Sequence, residues 1–134
     1  MILRLQRRHV DLLKQEAKKV HPVEACAILF GNLSQNEAVV EKVEVAPNEL
    51  QSTVRFEIDP VKVAAAFTDA DEEGLDFIGL FHSHPAPAAP SPIDLKYMKL
   101  WGDALWLIIS STDGNLAAYQ LTDDTVKEAT IRIE

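Results

Sequence analysis

Three residues of this chain could hold a metal ion between them: His82 and His84 of Phe81-His82-Ser83-His84-Pro85, and Asp94 of Pro90-Ser91-Pro92-Ile93-Asp94. On an extended segment the period of two points both imidazoles to one side, and the intervening turn can return Asp94 as an anionic third donor. Two neutral imidazoles and one carboxylate suit a single zinc ion. Three protein ligands leave the fourth tetrahedral position for a bound water, which is the pattern of a catalytic site. Such an ion lowers the pKa of its water to about 7 and polarises an amide carbonyl, so the chemistry on offer is hydrolysis. Hydrolysis also needs a proton carrier that is not a ligand. Glu24 is the leading candidate, because it follows the helix-breaking Pro22 and opens a short apolar run.

These groups need elements to hold them. Leu75 to His82 reads as an apolar strand that delivers the histidines at its C-terminal end, and Glu24 to Gly31 reads as a buried strand whose first residue is the carboxylate. Pro85-Ala86-Pro87-Ala88-Ala89-Pro90 lacks the donors for a ladder or a helix and reads as a stiff loop. Ser91 can cap a helix running from Pro92 to Trp101-Gly102, which places Asp94 in its first turn. Upstream, Leu5, Leu12, Leu13, Ala17 and Val20 recur at helical spacing between Arg4 and Val20, and His21-Pro22 ends that helix. Glu37 to Ala46 reads as a second strand and Val54 to Ile58 as a third. Asp59 with Pro60 starts a second helix that reaches about Glu73-Gly74. Ala104 to Ser110 and Leu116 to Leu121 form a strand pair around Thr112-Asp113-Gly114-Asn115, and Thr125 to Ile133 is a last strand. The expectation is a mixed α/β domain.

Composition bounds the rest. With 134 residues and 47% hydrophobic content, the chain can bury one core, and residues 1–134 are expected to form a single domain. A formal charge of −8 argues against a phosphate-binding surface, so no nucleic-acid partner is expected. Cys26 is the sole cysteine, which rules out an intrachain disulfide and fits a reducing, cytoplasmic setting. Charges interrupt the first residues before a signal-peptide core is reached, and no segment could span a bilayer, so no membrane is involved. Trp106-Leu107-Ile108-Ile109 could serve as core or as the face of a homodimer.

Taken together, His82-Ser83-His84-Pro85, Pro90-Ser91-Pro92-Ile93-Asp94, His21-Pro22-Val23-Glu24-Ala25-Cys26 and Gly31 resemble the JAMM (MPN-plus) metalloprotease family across essentially the whole chain. The resemblance implies a compact β-sheet flanked by helices, related to cytidine deaminases. It implies one Zn2+ on His82, His84 and Asp94, with Glu24 as general base and acid and Ser91 stabilising the oxyanion. It also implies an isopeptidase acting on conjugates of ubiquitin-like or sulfur-carrier-type proteins. Two departures stand out: six residues, Pro85 through Pro90, separate His84 from Ser91 where the family pattern has seven, and Ala27 stands where the family often has glycine.

Plainer roles compete. Ser91 could be an N-cap and nothing more, Asp94 a first-turn carboxylate facing the helix dipole, and Glu24 a solvated residue at a strand start. Cys26, Trp101 and Trp106 read as core, and His9 and His21 have no partner pattern. For the whole chain, an MPN-type interaction scaffold without catalysis and a RadC-like nucleic-acid-associated protein are the alternatives. A nucleoside deaminase is disfavoured because the PCxxC ligand pair is missing.

Overall fold

The computed structural model describes residues 1–134. In chain order its elements are β1 (Ile2–Leu5), α1 (Arg7–Val20), β2 (Cys26–Leu33), β3 (Glu37–Ala46), α2 (Pro60–Glu72), β4 (Asp76–His84), α3 (Pro92–Leu100), β5 (Leu105–Ser110), β6 (Leu116–Thr122) and β7 (Thr125–Ile133). The strands close into one barrel in the order β1-β3-β2-β4-β5-β6-β7. The sheet is mixed: β1 runs parallel to both β3 and β7, β4 runs parallel to β5, and the other pairs are antiparallel.

The near-continuous apolar run of β2 follows from burial on both faces. Ala27 and Leu29 join an inner cluster with Leu3, Leu5, Phe81 and Leu107, against which α1 packs Val10, Leu13 and Ala17. Cys26, Ile28 and Phe30 turn the other way, toward Ala66 and Ala70 of α2, Met98 of α3 and Trp106. Strands approach closely where glycine allows. A Cβ on Gly79 would stand 1.9 Å from the Leu105 carbonyl oxygen, so β4 and β5 fit together only without one.

Two expectations are corrected. Arg4 and Leu5 belong to β1, not to the first helix, because Leu3 and Leu5 alternate into the inner cluster while Ile2 and Arg4 do not. Val54 to Ile58 is no strand: the Asn48 side chain accepts from Glu57 N–H at 3.2 Å and donates to the Arg55 carbonyl at 3.0 Å, in place of ladder partners. Boundaries shift as well, with β2 starting at Cys26, after Glu24, and β4 running on through His84. Trp106 to Ile109 lie in the core. No helix is long and apolar enough to cross a membrane.

β1 spans only four residues. It pairs with β3 only from Glu37 to Val39, so the second half of β3 carries no strand on that side.

Candidate metal centre

The end of β4 brings the two halves of the site together. Cys26 pairs with His82 across β2 and β4. Just beyond, Ser83 holds Ala25 twice: its hydroxyl accepts from Ala25 N–H at 2.8 Å, and its own N–H donates to the Ala25 carbonyl at 3.0 Å. The neighbouring Glu24 is fixed by the connection after β3. Its N–H donates to the Ser52 carbonyl at 2.9 Å and its carbonyl accepts from Asn48 Nδ2 at 3.1 Å. A further tie runs from His21, whose Nδ1 lies 2.6 Å from Ser111 Oγ. Ser111 donates to the His84 carbonyl from both its N–H, at 2.8 Å, and its hydroxyl, at 3.2 Å. Because that hydroxyl has one proton and gives it to His84, His21 must be the donor in their pair.

From the other side, α3 begins with a capping box: Ser91 Oγ accepts from Asp94 N–H at 3.1 Å, and Asp94 Oδ2 accepts from Ser91 N–H at 2.9 Å. The six-residue loop ahead of it is anchored by the Tyr119 hydroxyl, which donates to the Ala88 carbonyl at 2.9 Å.

Three donor atoms consequently meet. His82 Nε2 lies 2.9 Å from His84 Nε2, and Asp94 Oδ2 lies 3.1 Å from each of them. Glu24 joins from just ahead of β2, with Oε2 at 3.7 Å from His84 Nε2. All four residues are buried, Glu24 and Asp94 at 1% exposure. With Asp94 ionised, no placement of protons satisfies the triangle. If both imidazoles protonate Nε2 to serve Asp94, two N–H groups collide at 2.9 Å, and if one does not, its lone pair faces the carboxylate. A cation among the three atoms removes the conflict, because every lone pair can then point inward. Ligands of tetrahedral zinc at about 2.0–2.1 Å stand about 3.3 Å apart, close to these separations. The residues present therefore fit a zinc ion.

Burial and charge set the protonation of the cluster. Burial pushes the Glu24 carboxyl up; His84 draws it down and Asp94 raises it again, leaving it at about 7. Burial alone would also raise Asp94, but hydrogen bonds from His82 and His84 outweigh it and hold the carboxyl far below the usual range. Burial lowers His82, whereas for His84 the contacts with Asp94 overcome burial and raise it. The Cys26 thiol is driven up to about 12 by burial and then by Glu24 and Glu49, so it is a neutral packing residue.

The structure gathers His82, His84, Asp94 and Glu24 at one point, with Ser91 on the helix that presents Asp94. Glu24 is not the solvated residue its position at a strand start allowed. Ser91 is indeed a cap, though its hydroxyl oxygen accepts there and retains a proton to give elsewhere. Sequence reasoning missed Ser83, Asn48, the His21–Ser111 pair and Phe56, whose ring stacks on His82 at 4.9 Å. Only Ser83 had a visible signal, its place between the two histidines.

A closed mixed sheet that presents a buried His-His-Asp cluster beside a second carboxyl defines a metallopeptidase-like class of domain. Comparison gives that class a family: residues 6–122 match Prok-JAB, the prokaryotic homologs of the JAB domain, and the chain belongs to it. It is thus a peptidase of the JAMM type. It is 40% identical over 114 residues to the desampylase of Pyrococcus furiosus, covering 84% of this chain and 77% of that one. It is 29% identical over 131 residues to the CysO-cysteine peptidase of Mycobacterium tuberculosis, covering 92% and 86%. A protein of Desulfitobacterium hafniense solved in solution superposes with a TM-score of 0.88 at 30% identity, over 100% of this chain and 93% of that one.

Proposed function

We propose that residues 1–134 act as one catalytic domain, a zinc-dependent isopeptidase. It cleaves the amide or isopeptide bond at the C-terminus of a ubiquitin-like or sulfur-carrier-type protein. The observation that carries this is the triangle of His82, His84 and Asp94 with Glu24 at its edge, where an ionised Asp94 leaves no consistent placement of protons and a cation removes the conflict. The relatives named desampylase and CysO-cysteine peptidase support the substrate class.

In this reading His82, His84 and Asp94 hold the zinc ion. When bound it supplies a Lewis acid for the carbonyl and an acidified water. Glu24 would take a proton from the attacking water as its oxygen bonds to the carbonyl carbon, and return it to the nitrogen as the C–N bond breaks. Its partnerless Oε1 remains available for the transfer. Ser91, whose hydroxyl proton is uncommitted, donates to the developing oxyanion, with Asp94 N–H fixing its rotamer.

The test is incubation of zinc-loaded protein with linear and isopeptide fusions of ubiquitin-like and sulfur-carrier proteins. Wild type should release the modifier, Glu24→Gln should keep its zinc and lose turnover by at least about a hundredfold, and His82→Ala should lose the zinc. Wild-type hydrolysis by Glu24→Gln would remove Glu24 from the mechanism. Undiminished zinc in His82→Ala, by elemental analysis, would remove His82 from the ligands.

A further inference from the structure

We propose that His21 is a positioning residue of this site: through Ser111 it holds the segment that carries Glu24 against the end of β4, and so sets where the Glu24 carboxyl stands over the metal ligands. This rests on the isopeptidase reading above and adds a residue to its proton transfer.

Glu24 belongs to no strand or helix. It lies in the link from Val20, the last residue of α1, to Cys26, the first of β2. Its own N–H and carbonyl bond to Ser52 and Asn48, in a connection that is itself irregular. A general base must meet its proton within about 2.6–3.2 Å, so its place relative to the ligands decides whether it works. Two ties supply that place. After Glu24, Ala25 exchanges two hydrogen bonds with Ser83. Before it, His21 Nδ1 reaches Ser111 Oγ at 2.6 Å, and Ser111 donates twice to the His84 carbonyl. Both ties end on neighbouring residues of β4, one of them the ligand His84. A segment held at one point pivots about it, whereas a segment held at two does not, and Glu24 stands between the two.

The His21 tie has firm ground at each end. On one side the His21 N–H donates to the Ala17 carbonyl at 3.1 Å and closes α1. On the other, Ser111 follows the last pair of β4 and β5, His84 with Ser110. Ser110 staples the turn beyond: its hydroxyl accepts from the N–H groups of Thr112 and Asp113, both at 3.3 Å, and its carbonyl accepts from Gly114 N–H at 2.9 Å.

Proton count explains why a ring nitrogen sits here. The Ser111 hydroxyl gives its one proton to His84, so a partner on its oxygen must be a donor. His21 Nδ1–H fills that place and, by polarising the hydroxyl, strengthens the bond to His84. Without it the hydroxyl, half-buried beside an exposed ring, turns to water. An asparagine amide nitrogen, one bond beyond Cγ as Nδ1 is, can take the same place. Alanine offers no donor.

The test follows turnover of the fusion that wild type cuts best, using zinc-loaded His21→Ala, His21→Asn, Ser111→Ala and the double variant His21→Ala/Ser111→Ala. His21→Ala should lower kcat by about tenfold with KM and zinc content unchanged, because it displaces Glu24 and neither the ligands nor the substrate. His21→Asn should restore most of the lost activity. The double variant should be no slower than Ser111→Ala alone, since both residues act through one chain of bonds. In zinc-loaded wild type in alkaline buffer, the ring-nitrogen NMR shifts of His21 should place its proton on Nδ1. The role is overturned by an unchanged kcat in His21→Ala, by zinc lost from it, by a His21→Asn equally slow, by additive losses in the double variant, or by a bare Nδ1. In each of those cases a wild type that cuts the fusion leaves the isopeptidase reading standing. A wild type that cuts no fusion would overturn that reading and this role with it.

Discussion

Glu24 is a carboxyl almost out of reach of water, and its protonation is therefore coupled to folding. In metal-free protein its folded pKa of about 7 lies above the ordinary 4.5, so the fold favours the protonated form. Below pH 4.5 both folded and unfolded chains hold this proton and the stability it confers is fully present. As pH rises toward about 7 only the folded state holds it, and stability falls by about 3 kcal/mol. Glu24→Gln stays neutral throughout. In urea unfolding with a chelator present, the variant should match wild type at the acid end and become the more stable of the two as pH rises. A gap between them that does not change with pH would contradict this account. His82, His84 and Asp94 were legible in the sequence because their geometry is nearly local: a period of two on one strand, and a capping serine three residues before the aspartate. Asn48, Ser83 and Ser111 were not, because each acts on a backbone group far along the chain, and a lone hydroxyl or amide gives no sign of where its partner lies.

At the scale of elements, the strands buried on both faces and the capped helices were readable because their signals are dense. Asp59-Pro60 and Ser91-Pro92 mark the starts of α2 and α3 as expected. β1 went unseen because four residues beside a strong helical period carry too little alternation to stand out. Val54 to Ile58 misled because its apolar residues alternate while a side chain, not a strand, satisfies its backbone. The tie between β4 and the residue after Glu24 gives a prediction at this scale. Ser83→Ala leaves Ala25 N–H buried without its acceptor and should cost about 1–3 kcal/mol in denaturant unfolding, with zinc retained and turnover reduced. Loss of the zinc with no change in stability would point instead to a disturbance of the histidines. Gly79→Ala should be far more damaging, because the added carbon meets backbone at Leu105 and β4 must separate from β5; recovery of folded protein with unchanged stability would contradict the close packing described.

For the whole molecule, the site joins parts of the chain that the sheet alone does not clamp. His82 and His84 of β4 and Asp94 of α3 meet a carboxyl that precedes β2, so a cation held by the first three would tie β4 to α3 at one end of the barrel. Zinc at about a thousand times its dissociation constant should add about 4 kcal/mol to stability. Thermal unfolding of wild type should therefore move up with zinc while His82→Ala stays where it was, and equal shifts in both would place the ion elsewhere. The side chain of Asn48 has a wider consequence. It gathers the Glu24 carbonyl and the groups of Leu50, Arg55 and Glu57 into one knot, and Ser52 holds the Glu24 N–H, so only Thr53 and Val54, both exposed, stand outside these ties. The connection can thus lengthen at Thr53-Val54 like a cassette slotted into a fixed frame, and new recognition loops could be grafted there without redesigning the enzyme beneath.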